Sequence, residues 1–234
     1  IHGFKMKKKV LVLAAHPDDE TLGCGGFLDK YKKKFEFRVV FLAEGSSCRY
    51  EDKLKYKKKI IKDIKHRKDC ATKALKVFSI SNVIFYNNIC GQLNKIPQIN
   101  LNRVIEKEIK NFKPEIILTH SDKDLNLDHK TISDSVMVAT RPIKIKKIVK
   151  QIFAFEILSS THWNFQNNFI PKYFVELSKK NVTNKWKALK CYTSETSKKP
   201  YPRSRYGVET LANFRGMQCG LDYAEAYEIV RYFD

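Results

Sequence analysis

The chain has 234 residues, enough for one sizeable domain with a core of its own. Hydrophobic residues make up 43% and charged residues 30%, a balance that excludes disorder by composition. The net charge of +20 comes from 45 Lys and Arg against 25 Asp and Glu, but the lysines are dispersed (Lys7–Lys9, Lys32–Lys34, Lys57–Lys59, Lys144–Lys150), which favours a solvated surface over a nucleic-acid interface.

Ile1–Lys5 precede Met6 and read as a remnant outside the domain, which is expected to span 6–234 as one unit. Lys7–Lys9 followed by Val10–Ala15 has the look of a signal peptide's start, but the apolar run is too short and ends in His16-Pro17-Asp18-Asp19-Glu20. It reads instead as a strand buried on both faces. No stretch approaches the ~18 apolar residues of a membrane span, so a cytoplasmic location is expected. Thr21 is placed to cap a helix running to about Lys34, and Arg38–Ala43 reads as a second strand. Asp52–Lys76 is helical in character, Val83–Tyr86 a third strand, and Ile99–Asn111 a helix ended by Lys113-Pro114. Glu115–Thr119 is a fourth strand, and Asp128–Thr140 a helix stopped by Pro142. Strands that alternate with helices predict an α/β fold, a Rossmann-like, mostly parallel sheet with helices on both faces. The pattern then changes: strands at Gln151–Ile157 and Tyr173–Leu177 precede helices at Val182–Cys191 and Val208–Gly216, read as a C-terminal extension of the same domain. The six cysteines form no CxxC pair, which points to reduced thiols.

Two polar clusters fall at predicted strand ends, where open α/β sheets bind ligands. One is His16-Pro17-Asp18-Asp19-Glu20; the other runs from Thr119 and His120 through Asp122, Asp124, Asn126 and Asp128 to His129. Parallel neighbours would bring both to one edge, and His with carboxylate there suggests a metal site with an open position. Taken singly, each cluster also reads as a turn in which Asp19 or Asp128 caps a helix.

Ala14-Ala15-His16-Pro17-Asp18-Asp19-Glu20 resembles the signature of the PIG-L/LmbE-like family of metal-dependent N-deacetylases. Asp124-Leu125-Asn126-Leu127-Asp128-His129 is similar to that family's second motif. Ala43–Arg49, Ala139–Pro142, Tyr201–Ser204 and Phe214–Gly216 extend the resemblance over nearly the whole chain. The resemblance implies that His16, Asp19 and His129 bind Zn²⁺ and that Asp18 is the general base. Two imidazoles and one carboxylate would leave the zinc positive and able to acidify a bound water. The implied substrate is an acetamido sugar or a conjugate of one. Many members carry a His where this chain has Asn126, whose amide can donate a hydrogen bond but not a proton to a leaving group. His120 could supply an imidazole instead, or be a satisfied histidine at a strand end. Asp128 could orient a histidine or cap a helix.

Arg49, Arg141 and Arg203 are candidates for binding phosphate or sugar hydroxyls, since guanidinium presents a fork of donors. Glu44 could reach a sugar hydroxyl or order its loop, and Trp163 and Tyr201 could stack on a sugar ring or pack the core. Three other classes compete with a hydrolase. A 2-His-1-carboxylate set also serves non-haem metal oxygenases, a reading that Asp18 and the α/β pattern disfavour. Gly23-Cys24-Gly25-Gly26 lacks the spacing of a dinucleotide-binding loop and is expected to permit close packing. A nucleic-acid binder would leave both clusters without a purpose.

Overall fold

The structure is a computed structural model that describes residues 7–142 and 149–233. The expected remnant at 1–5, Met6 and three lysines of the Lys144–Lys150 run lie outside the described residues. The elements in order are β1 (Lys8–Ala14), α1 (Asp19–Tyr31), β2 (Phe35–Ala43), α2 (Lys57–Val77), β3 (Val83–Asn88), α3 (Gln98–Phe112), β4 (Ile116–His120) and α4 (Leu127–Ala139). They continue with β5 (Gln151–Phe155), β6 (Tyr173–Glu176), α5 (Lys179–Leu189), α6 (Arg205–Met217) and β7 (Ala224–Tyr232).

One seven-stranded sheet has the order β3-β2-β1-β4-β5-β7-β6. The first five strands in this order pair in parallel, whereas β7 runs antiparallel to both β5 and β6. The sheet is thus mostly parallel, as expected, with an antiparallel edge in the C-terminal extension. The apolar run of β1 faces two cores. Val10, Val12 and Ala14 pack with α1, α2, α5 and α6, while Leu11, Leu13 and Ala15 pack with α3 and α4. Burial on both faces is why β1 reads as continuous rather than alternating hydrophobic sequence.

Several boundaries differ from the expectation. α1 begins at Asp19, so Thr21 lies inside its first turn, and α2 begins at Lys57 rather than Asp52. Lys113 ends α3 in the left-handed region at φ 54°, because Pro114 keeps the chain from continuing the helix. The glycines of α1 serve packing. A Cβ on Gly23 would stand 2.3 Å from the Phe155 ring, and one on Gly26 would stand 2.5 Å from Leu177. β7 was not anticipated from the sequence.

The position of the strands decides where a ligand can sit. From β1 the chain adds β2 and β3 on one side, then crosses to place β4 on the other. The carboxyl ends of β1 and β4 therefore border the crevice at which the winding reverses.

Candidate metal centre

The loop after β1 carries His16 into the start of α1, and the loop after β4 carries Asp124 to His129 into the start of α4. Both helices aim their amino termini, the positive ends of their dipoles, at the crevice. Asn126 caps α4 by accepting the Asp128 amide at 2.9 Å. α1 starts differently: Asp18 stands at its cap position with φ 125° and makes no side-chain cap bond. That backbone is strained for a residue with a Cβ, the kind of strain that clusters at functional sites.

Three ligand-type groups converge. Asp19 Oδ2 lies 3.3 Å from His16 Nδ1 and 3.3 Å from His129 Nε2, and the three donor atoms fall within 4.8 Å of one another. Two ligands at about 2.0–2.1 Å from a tetrahedral metal stand about 3.3–3.4 Å apart, so the spacing fits a shared ion. Each imidazole is backed by a second carboxylate. His16 Nε2 meets Asp128 Oδ2 at 2.9 Å, and His129 Nδ1 lies 3.1 Å from Asp124 Oδ1. Among the described residues, neither ring nitrogen of the buried His129 completes a well-angled hydrogen bond. A buried imidazole left so is costly, and a cation at Nε2 would remove that cost.

The charges agree. Burial opposes protonation of His129, yet Asp19 and Asp124 push its pKa up to about 10; burial likewise opposes His16, and Asp128 and Asp19 raise it to about 9. Burial would raise Asp19, but His129 and His16 hold it well below the usual carboxylate range. Three buried carboxylates thus face two imidazoles and attract either protons or a dication.

The backing carboxylates are anchored in turn. Asp128 accepts the amides of Gly91 at 2.6 Å and Leu93 at 2.9 Å. Asp124 accepts Thr161 Oγ1 at 2.6 Å, the Asn126 amide at 2.8 Å and Ser160 Oγ. His120 is fully buried and stacks on His129 with centroids 3.9 Å apart. Its Nε2 accepts the Ala15 amide at 2.9 Å, and burial lowers its pKa to about 3. His120 is thus held at Nε2 by the Ala15 amide beneath the site, while its buried Nδ1 has no hydrogen-bond partner among the described residues.

Asp18 sits beside this group at 1% exposure. Its Oδ2 accepts Arg203 Nη1 at 2.8 Å and Arg67 Nη2 at 3.0 Å. Burial outweighs the two arginines and brings Asp18 up to about 6. Glu195 ties the arginines together, taking Arg49 Nη2 at 2.6 Å, Arg67 Nη1, and Arg203 Nη1 at 3.6 Å. Three guanidiniums against Asp18 and Glu195 leave one positive charge beside the crevice. The sequence reading missed Arg67 and Glu195. Arg67 was recognisable as a charge on the buried stripe of α2, in line with Ile60, Ala71 and Ala74.

Of the substrate-contact candidates, Arg49 and Arg203 belong to this cluster and two others do not serve as expected. Arg141 is exposed beyond the carboxyl end of α4, where its Nε donates to Val138 O at 3.0 Å. Twelve residues along a helix from His129 place it about 18 Å away. Glu44 is 3% exposed and spends its oxygens on the Ser46 amide at 2.6 Å, the Ser47 amide at 3.0 Å, the Cys90 amide at 2.9 Å and Ser47 Oγ. It orders the loop after β2. The Oδ1 of Asn126 is likewise taken by its capping bond, leaving only the amide nitrogen for other contacts. Trp163 and Tyr201 are exposed and pack no core. A groove of about 370 Å³ is lined by Leu158, Pro202, Tyr206, Phe214 and Arg215, among others. Another cavity, about 700 Å³, opens at the amino ends of the strands with Lys7, Lys9, Lys32 and Lys113 and holds none of the converging groups.

Residues 11–140 match the PIG-L family, described as GlcNAc-PI de-N-acetylase. An uncharacterized deacetylase of Escherichia coli, YaiS, is 28% identical over 194 residues, covering 80% of this chain and 92% of its own. The N,N'-diacetylchitobiose deacetylase of Pyrococcus horikoshii, solved with an inhibitor, superposes with a TM-score of 0.74 at 18% identity, covering 97% of this chain and 85% of that one. The 4-carboxy-2-hydroxymuconate hydratase of Pseudomonas putida superposes with a TM-score of 0.72 at 22% identity, covering 97% and 98%. Deacetylase and hydratase thus share this fold, and the fold alone does not choose between them.

Proposed function

Because the chain belongs to the PIG-L family of de-N-acetylases, we propose that it is a metal-dependent N-deacetylase of an acetamido sugar or sugar conjugate. The observation that carries this reading is the convergence of His16 Nδ1, Asp19 Oδ2 and His129 Nε2, with Asp18 alongside. The donor set, two imidazoles and one carboxylate, is that of catalytic zinc, and zinc is the metal we assign to it. Bound there, the ion would supply Lewis acidity to a water and to the acetyl carbonyl.

The remaining chemistry belongs to the chain. Asp128 holds the Nε2 proton of His16, which fixes the tautomer and leaves Nδ1 as the lone-pair donor. Asp124 Oδ1, 3.1 Å from Nδ1 of His129 but not aligned on it, is placed to do the same there. Arg67 and Arg203 grip Oδ2 of Asp18 and leave Oδ1 to meet an attacking water. A carboxyl brought up to about 6 is suited to accept that water's proton near neutral pH and pass it to the departing nitrogen. The products are acetate and a free amine. The surplus positive charge of the arginine cluster supports a phosphorylated substrate, nucleotide-linked or a surface-glycan precursor, with Arg49 and Arg203 as its contacts. The Pyrococcus relative acts on diacetylchitobiose, an acetamido sugar without phosphate, so both kinds belong in the test.

The experiment is acetate release by the metal-loaded protein from free, phosphate-linked and nucleotide-linked acetamido sugars. Acetate and amine formed in equal amounts by wild type, and lost in Asp18→Asn, support the reading. Absence of acetate with every sugar would end it and make hydratase-type chemistry, which the same fold carries in the Pseudomonas protein, the next to test.

A further inference from the structure

The loops that follow β2 and β3 bring two cysteines together beside the candidate centre. Cys48 Sγ lies 3.0 Å from Cys90 Sγ across 42 positions of sequence. Cys24, Cys191 and Cys219 instead lie against backbone carbonyls, and Cys70 against His66. Cys48 is exposed, whereas Cys90 is 7% exposed. A reagent would therefore meet Cys48 first and leave Cys90 to resolve the product. A disulfide needs the sulfurs at about 2.05 Å, so closure draws the two side chains, and with them the loops that carry them, together by roughly 1 Å.

That movement reaches the site through the backbone. The Cys90 amide donates to Glu44, which orders the loop carrying Cys48. The next amide, of Gly91, donates to Asp128 Oδ2 at 2.6 Å, and the same oxygen holds His16 Nε2 at 2.9 Å. Gly91 itself lies against Cys48, since a Cβ added there would stand 3.5 Å from the Cys48 Cβ.

We propose that Cys48 and Cys90 form a reversible disulfide whose closure disturbs the Gly91–Asp128–His16 support and weakens the neighbouring centre. The effect on activity rests on the deacetylase reading; the cross-link does not. The co-reactant is a low-molecular-weight disulfide. The Cys48 thiolate attacks one of its sulfurs and expels a thiol, then the Cys90 thiolate attacks the Cys48 sulfur and expels the second. Two protein thiols are oxidised, one disulfide is reduced to two thiols, and excess thiol reverses the exchange.

The test treats the metal-loaded full chain with oxidised glutathione and reads intact mass, disulfide-linked peptides, metal retention against a chelator, and acetate release. The expected result is a Cys48–Cys90 link, with metal retention and activity reduced about tenfold or more and restored by dithiothreitol. Cys48→Ser should keep basal activity and ignore the oxidant. Glutathione remaining on Cys48 with no link to Cys90 would overturn the proposal. So would a Cys90 held by the metal against both oxidation and alkylation, or a complete cross-link that alters neither metal retention nor activity. If no sugar releases acetate, mass and metal retention still decide the matter, so failure of the functional reading is separable.

Discussion

Asp128 and His16, 112 positions apart in sequence, meet at 2.9 Å, and this contact fixes which imidazole nitrogen of His16 faces Asp19. Removing a carboxylate that orients a metal-binding histidine typically costs 10- to 100-fold in affinity or activity. Asp128→Ala is therefore expected to lower metal affinity by about that factor while the fold persists. Competition against a chromophoric chelator measures it; unchanged affinity would remove Asp128 from the account.

The two raised histidines predict how metal binding responds to pH. Free histidine titrates near 6.5, while His16 is raised to about 9 and His129 to about 10 in the metal-free protein. A group raised on folding stabilises the fold fully below its unfolded value and ceases to do so as pH climbs through its folded value. Metal-free protein should thus lose stability between about pH 6.5 and 10, over the range where metal binding strengthens because its ligands must be deprotonated. At neutral pH each ion bound should displace up to two protons. Calorimetry in buffers of different ionisation enthalpy counts them, and zero release would contradict the charge assignment.

The base and its clamp should separate from the metal ligands in kinetics. Asp18→Asn is expected to lose about 10²- to 10⁴-fold in kcat with metal content intact. Arg203→Ala, which removes a charged hydrogen bond to Asp18, should lose about 10- to 100-fold in kcat/KM. Arg141→Ala, at the far end of α4, should fall within twofold of wild type. An Arg141 effect as large as that of Arg203 would refute the placement of both.

Gly23→Ala tests the packing beneath the site. Its Cβ would intrude on the Phe155 ring, which itself packs edge-on to His120 at 4.8 Å. Overpacking of this kind typically costs about 1–3 kcal/mol, and chemical denaturation would register it. A variant as stable as wild type would show that α1 can move away from β5.

Much of this arrangement was legible in the chain because it is local. The run Val10–Ala15 has one sensible partner on each side, and a polar cluster at its end must fall at the sheet's edge. What was not legible depends on the winding. Asp124 and Asp128 both precede His129, by five residues and by one, and spacing alone does not say that the farther serves His129 and the adjacent one His16. Arg67 and Glu195 lie on a distant helix and loop, and only the packing of α2 against α5 brings them to Asp18. β7 escaped notice because Glu225 and Glu228 interrupt its apolar pattern. In the fold Glu225 accepts the amides of Gly26 and Phe27, and Glu228 accepts Ser121 Oγ and the Ile170 amide. Glu44 and Arg141 misled for the converse reason, since a charged residue near a motif reads as a substrate contact until its partners are known.

The most direct measurement is elemental analysis of wild type and His129→Ala, purified side by side and compared by circular dichroism. The account predicts about one divalent metal per wild-type chain, as an ion shared by His16, Asp19 and His129 requires, and its loss from the folded variant. A wild type that neither carries metal nor takes up added Zn²⁺, or a variant that keeps its full complement, would contradict it.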